Sequence, residues 1–152
     1  MIMAFELMGV PLRVCSVARR GKPLKTETDL YKAIKQAVQN DYEYYRVENK
    51  LQNGFPDITL ISRYGAIWMI EAKYCRKSKL TDIKKDLTWQ PGQLAFMHTC
   101  LKREALYALV VYHAEKIYYF TGEYIETQDI PYTTGRAGLV EECATVLEAE
   151  GV

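Results

Sequence analysis

The sequence predicts an α/β domain built on a central mixed β-sheet flanked by helices. Three observations predict the class. Residues 26–40 carry a clear helical period of apolar positions. Two β-like runs, Asp57–Arg63 and Ala66–Lys73, are joined by the short Tyr64-Gly65 connection of a hairpin. A second helix, opened by Trp89-Gln-Pro-Gly-Gln93, separates that hairpin from the strongly apolar run Leu106–His113. Strands that alternate with helices in this way, with a hairpin added, give a mixed sheet covered by helices.

The elements follow in order. The amino-terminal run Met-Ile-Met-Ala-Phe-Glu-Leu-Met has no basic leader and is interrupted by Glu6, so it reads as a packed strand rather than a signal peptide. In the first helix Leu30, Ile34, Ala37 and Val38 form one stripe, with Thr26 placed as its N-cap. Tyr42–Glu48, rich in aromatics, suits a strand entering the loop 49–56. Ala-Ile-Trp-Met-Ile-Glu-Ala-Lys, ending at Lys73, is apolar on both faces until its end, as a central strand is. The stretch from Tyr74 to Asp86 has no apolar period. The second helix then runs to about Arg103, with Pro91 in its first turn, where a missing N–H costs nothing. Leu106–His113 and Lys116–Phe120 are strands. Leu139, Cys143, Val146 and Leu147 mark a closing helix over 135–150.

Composition sets the outer bounds. The chain has 152 residues, 49% hydrophobic and 26% charged, and at that length one core buries roughly 70% of the unfolded chain's surface. No disulfide or structural metal is needed for folding, and residues 1–152 read as a single domain with its core over about 26–113. The cysteines Cys15, Cys75, Cys100 and Cys143 show no CxxC or Cys/His spacing, which suits thiols in a reducing compartment. No apolar run approaches the ~18 residues of a transmembrane helix, so no membrane partner is expected. Twenty Lys and Arg against nineteen Asp and Glu leave a net charge of +1, which at first argues against nucleic acid.

The chemistry lies in Gly54-Phe-Pro-Asp57 and in Glu71-Ala-Lys73, fourteen residues beyond Asp57. A charged side chain at the end of a central strand costs several kcal/mol unless it is paired, so its presence there has a reason. The i, i+2 spacing points Glu71 and Lys73 to one face and turns Ala72 into the opposite layer. Asp57 joins them only if the hairpin has the right parity. A two-residue loop at Tyr64-Gly65 fails, whereas a three-residue loop, Arg63-Tyr64-Gly65 with Gly65 left-handed, succeeds. Two carboxylates with no His or Cys between them suit a hard divalent ion such as Mg²⁺ or Mn²⁺, and the reaction that fits is metal-assisted phosphodiester hydrolysis. Lys73 would orient or deprotonate the attacking water and neutralise developing charge.

Pro56-Asp57, the spacing to Glu71-Ala-Lys73, an acid on the preceding helix and a glutamine opening the following one resemble the PD-(D/E)XK nuclease superfamily, and the resemblance implies that the α/β domain is a restriction-endonuclease-like core. Within it the likeness is to small phage-type endonucleases, VRR-NUC domains and Holliday-junction resolvases, over about residues 26–113. The resemblance implies Asp57, Glu71 and the main-chain carbonyl of Ala72 as metal ligands and Lys73 as the catalytic lysine. Glu27 matches the helical acid, reaching a second metal or its water, although an acid in a first helical turn is also favoured by the helix dipole. The family glutamine matches Gln93, with Gln90 as the fallback. The short segment between the first helix and Pro56 leaves no room for the substrate-selecting loops of larger relatives.

Charge location then matters more than charge total. Arg76, Lys77, Lys79, Lys84 and Lys85 follow the catalytic strand, Arg19, Arg20, Lys22 and Lys25 precede Glu27, and Glu141, Glu142, Glu148 and Glu150 lie near the carboxy terminus. Basic runs on both sides of the site, Arg76, Lys77, Lys79, Lys84, Lys85, Arg19 and Arg20 among them, are where a DNA backbone would lie. His98 and His113 lack a nucleophile partner and receive no role. Tyr42, Tyr44, Tyr45, Tyr118 and Tyr119 read as amphipathic strand residues before base-stacking ones. The expectation is a Mg²⁺- or Mn²⁺-dependent endodeoxyribonuclease, acting on branched, Holliday-junction-like DNA by family likeness. It would work as a homodimer where two strands are cut together, in the cytoplasm of a bacterial or phage-infected cell. The competing readings are a non-catalytic nucleic-acid-binding module that retains the fold and a protein-binding factor.

Overall fold

The computed structural model describes residues 23–48, 54–130 and 132–135. The elements are α1 (Glu27–Val38), β1 (Tyr42–Arg46), β2 (Ile58–Ser62), β3 (Ile67–Tyr74), α2 (Ile83–Asp86), α3 (Gln93–Lys102), β4 (Tyr107–His113), β5 (Lys116–Thr121), α4 (Glu123–Thr127) and β6 (Tyr132–Gly135). The strands form one six-stranded sheet in the order β1-β2-β3-β4-β5-β6. Only β3 and β4 run parallel, joined by the crossover that contains α2 and α3; the other neighbours are antiparallel. This is the mixed sheet with flanking helices that the sequence predicts. The amino-terminal strand, residues 136–150 of the closing helix expected over 135–150, and Arg19, Arg20 and Lys22 lie outside the described residues; Gly135 ends β6.

Each helix layer follows from its apolar stripe. Thr26 caps α1 through a capping box: its hydroxyl accepts from the Asp29 N–H, and the Asp29 carboxylate accepts from the Thr26 N–H. Such a cap is worth about 1 kcal/mol. Leu30, Tyr31, Ile34, Ala37 and Val38 then pack on Ile58, Leu60, Trp68, Ile70, Ala72, Ala108 and Val110. On the other face, Met97 and Cys100 of α3 and Ile83 of α2 pack with Tyr107, Leu109, Val111 and Phe120. Strand β4 is buried along almost its whole length, as a central strand between two helix layers must be.

The hairpin has the three-residue loop. The Ser62 N–H donates to the Ala66 carbonyl, and Gly65 sits in the left-handed region at φ 83°. The Ser62 hydroxyl accepts from the N–H groups of Tyr64 and Ala66, fastening the turn. Ile58 therefore pairs with Ile70 and Leu60 with Trp68, and the register continued by one position sets Asp57 opposite Glu71.

Several local expectations are corrected. Pro91 is not in the first turn of α3, because Gly92, at φ 85°, is the cap and the helix begins at Gln93. The polar stretch 74–86 contains α2, capped by Asp82 through the N–H groups of Lys84 and Lys85. Helix α4 and strand β6 extend the sheet region beyond the last strand the sequence predicts. These pieces are four or five residues long, too short to show a period.

Candidate active site

Four elements converge at one end of the sheet: the first turn of α1, the entry to β2, the end of β3 and the start of α3. Glu71 and Lys73 project from β3 toward the α3 layer, while Ala72 between them belongs to the α1-side core. Both charged residues are buried, Glu71 at 1% and Lys73 at 5% exposure. Their partner is Gln93. The Lys73 Nζ donates to Gln93 Oε1 at 2.7 Å, and Gln93 Nε2 donates to Glu71 Oε1 at 3.1 Å. The main-chain N–H of Gln90 donates to the same Gln93 oxygen at 2.7 Å. Two donors on that atom fix the orientation of the amide, and the amide in turn relays between ammonium and carboxylate. The Lys73 Nζ also lies 3.5 Å from Glu71 Oε1 and 5.0 Å from the centre of the Trp89 ring. Trp89 is fixed there by its indole N–H, which donates to the Ile83 carbonyl.

The second oxygen of Glu71, Oε2, is buried and has no hydrogen-bond partner. Burial pushes the Glu71 carboxyl up to about 7; Lys73 pulls it down, and the charges of Asp57 and Glu27 push it up again. A buried carboxylate oxygen without a donor is costly, and either a proton or a bound cation would relieve it.

Asp57 is half-buried and held from the α1 side. The Tyr31 hydroxyl lies 2.6 Å from Asp57 Oδ2 and 3.2 Å from Glu27 Oε1. Burial first, and then the bond to Asp57, keep the Tyr31 phenol well above its ordinary range, so it stays a donor. The guanidinium of Arg46 lies over the same ring, 3.7 Å from its centre. The loop leading to Asp57 is anchored on α3: Phe55 meets Phe96 edge to face at 5.2 Å, and a Cβ built on Gly54 would lie 2.3 Å from the Gly92 oxygen.

The sequence-predicted residues divide accordingly. Glu71, Lys73 and Gln93 form one bonded group, and Asp57 joins it through its charge. Gln93, not Gln90, is the glutamine that reaches the site; the Gln90 side chain is exposed and contributes only its backbone. Glu27 is exposed and is linked to Asp57 through the Tyr31 hydroxyl. Among the described residues no three His, Cys, Asp or Glu side chains form a closed metal cluster. Of the basic residues, Arg76, Lys79, Lys84 and Lys85 are exposed, and the Arg76 guanidinium lies 5.3 Å from the Tyr74 ring centre. Lys77 straps the loop internally, donating to the Lys85 carbonyl and pairing with Asp86. His98 sits 3.8 Å from Glu126, and the His113 ring bonds the Lys77 carbonyl.

Sequence reasoning missed Tyr31, Arg46 and Trp89. Tyr31 had a legible signal, since it stands one helical turn after Glu27 on the same face. Trp89 opens the motif that ends in Gln93. Arg46 had none, because its place depends on the register of β1 against β2.

No family model matches the chain, and no curated protein matches it. Among solved structures it is similar to one described as "VRR_NUC domain", at 24% identity and a TM-score of 0.43, covering 56% of this chain and 82% of that one. Among the described residues no helix is long and apolar enough to cross a membrane.

Proposed function

We propose that this site is the catalytic centre of a divalent-metal-dependent endodeoxyribonuclease that hydrolyses phosphodiester bonds. The observation that carries the reading is Glu71 Oε2, a buried carboxylate oxygen without a donor, beside Asp57 and next to a lysine held by a buried glutamine. The donor set fits a hard cation: oxygens of Asp57, Glu71 and the Ala72 main chain would hold Mg²⁺ or Mn²⁺, with Glu27 reaching its water. When bound, the ion would polarise the phosphate and lower the pKa of a coordinated water.

The chain's own residues supply the rest. Gln93 accepts one of the three Lys73 N–H groups and Glu71 Oε1 lies 3.5 Å from the same nitrogen, which leaves an N–H to orient a water or to donate to a phosphate oxygen as negative charge develops there. Trp89 covers the ammonium and limits its hydration, which strengthens each of these contacts. The exposed Arg76, Lys79, Lys84 and Lys85, with Arg19 and Arg20, supply charge for the DNA backbone. A branched, Holliday-junction-like substrate, which rests on the family likeness of the motifs, and a homodimer, which one active site per chain requires for cutting two strands together, complete the proposal.

The test is incubation of the protein with linear, single-stranded, flap and four-way DNA in Mg²⁺ or Mn²⁺, alongside Asp57→Ala and Lys73→Ala. Cleavage by the parent alone supports the reading. Intact substrates, or variants that cut as well as the parent, reject it. Retained DNA binding without cleavage would instead support a binding module that keeps the fold.

A further inference from the structure

Arg46 is the last residue of β1, an exposed cation placed on the site by three separate constraints. Its guanidinium carbon lies 3.7 Å from the centre of the Tyr31 ring, and the hydroxyl of that ring is bonded to Asp57. Its strand partner is Ile58, the residue after Asp57. The next residue, Val47, donates its N–H to the Asp57 carbonyl at 2.8 Å. Side chain and backbone therefore both fix Arg46 relative to Asp57.

Charge balance gives this position its meaning. The site holds Asp57, Glu71 and Glu27, and its internal cation, Lys73, is buried and bonded to Gln93. A polyanion approaching the half-buried Asp57 and the exposed Glu27 meets negative charge unless an exposed cation stands beside them. Arg46 is that cation on the α1 side. A guanidinium stacked on an aromatic ring loses little freedom when it binds, and its edge N–H groups match two phosphate oxygens at once. Two residues earlier on the same strand face, Tyr44 carries Lys35 5.8 Å from its ring centre, so a second cation-on-ring pair lies beside the first.

We propose that Arg46, supported by Tyr31, binds a backbone phosphate of the nucleic acid next to the one attacked, with Lys35 continuing the track along α1 and β1. This rests on the nuclease reading for the identity of the site, but its test reads binding rather than cleavage.

The experiment is fluorescence anisotropy of labelled duplex and four-way DNA in EDTA, over a series of salt concentrations, for the parent, Arg46→Ala, Arg46→Gln and Arg46→Lys, each checked for an unchanged melting temperature. Removal of one phosphate contact is expected to weaken binding about tenfold and to lower the slope of log Kd against log salt by about 1 in the Ala and Gln variants. Arg46→Lys keeps the slope and loses part of the affinity. In a cleavage assay the same Ala and Gln variants are expected to raise KM with little change in kcat. Unchanged affinity and slope overturn the proposal whether or not the protein cuts DNA. A fall in kcat alone also overturns it, since Arg46 would then only hold Tyr31 against Asp57. Weakened binding with a reduced slope in a protein that never cuts DNA keeps the phosphate contact and rejects the nuclease reading.

Discussion

Gly54 and Gly92 meet backbone against backbone: a Cβ on Gly54 would lie 2.3 Å from the Gly92 oxygen and 2.4 Å from its carbonyl carbon. Both have positive φ, 92° and 85°. The contact joins the loop that delivers Asp57 to the cap that starts α3 and places Gln93. The two chemical motifs of the sequence are thus held in register by a pair of glycines that neither motif needs for its chemistry.

Gly54→Ala is expected to destabilise the protein by about 2 kcal/mol or more, because the new methyl meets immovable backbone and the left-handed conformation disfavours any side chain. Gly65→Ala is the control. Its φ is 83° but the space around it is open, so it should cost about 1 kcal/mol from backbone strain alone. Urea denaturation of the two variants measures the difference; equal losses would remove the role given to the Gly54–Gly92 contact.

Gln93→Leu leaves the Lys73 ammonium and Glu71 Oε1 without their shared amide in a buried site. Loss of about 1–3 kcal/mol of stability is expected, together with loss of activity. Gln90→Ala should be close to neutral, since only the Gln90 backbone is used. Thermal melts and cleavage rates of the pair decide which glutamine serves the site.

Divalent metal is expected to raise the melting temperature of the parent, since a ligand that binds only the folded state stabilises it. The shift should disappear in Asp57→Asn and in Glu71→Gln. Differential scanning fluorimetry with Mg²⁺ or Mn²⁺ against EDTA reads it, and an equal shift in Glu71→Gln would place the ion elsewhere.

The loop before α2 is expected to be acid-sensitive. The N–H groups of Thr81 and Asp82 donate to Asp86 and hold its carboxyl down at about 2. A depressed folded-state pKa gives stabilisation that is complete above the unfolded value near 4 and is lost as pH falls toward 2. The melting-temperature gap between the parent and Asp86→Asn should therefore close over that window. A gap that stays constant from pH 5 to pH 2 would contradict the assignment.

The sequence made the short-range parts of this architecture legible. Thr26 as a cap, the parity that demands a left-handed Gly65, and the shared face of Glu71 and Lys73 are consequences of spacing along one element. What it could not show are contacts made by tertiary packing: Gly54 on Gly92, Trp89 over Lys73, and the Arg46–Tyr31–Asp57 chain. Glu27 shows the boundary between the two. Its helix position and its i, i+4 spacing to Tyr31 were readable, but the bond from the Tyr31 hydroxyl on to Asp57 is made by tertiary packing. The net charge of +1 likewise has a spatial explanation, with the acids Asp57 and Glu71 inside the site and Arg46, Arg76, Lys79, Lys84 and Lys85 on the surface.

The most direct measurement is the cleavage of four-way and duplex DNA as a function of Mg²⁺ concentration, for the parent and Glu71→Gln side by side. The account predicts metal-dependent cleavage by the parent that EDTA abolishes, and a loss of at least about a hundredfold in the variant, as expected when a group stabilising transition-state charge is removed. Cleavage that persists in EDTA, or a Glu71→Gln variant that cuts at the parent's rate, would contradict it.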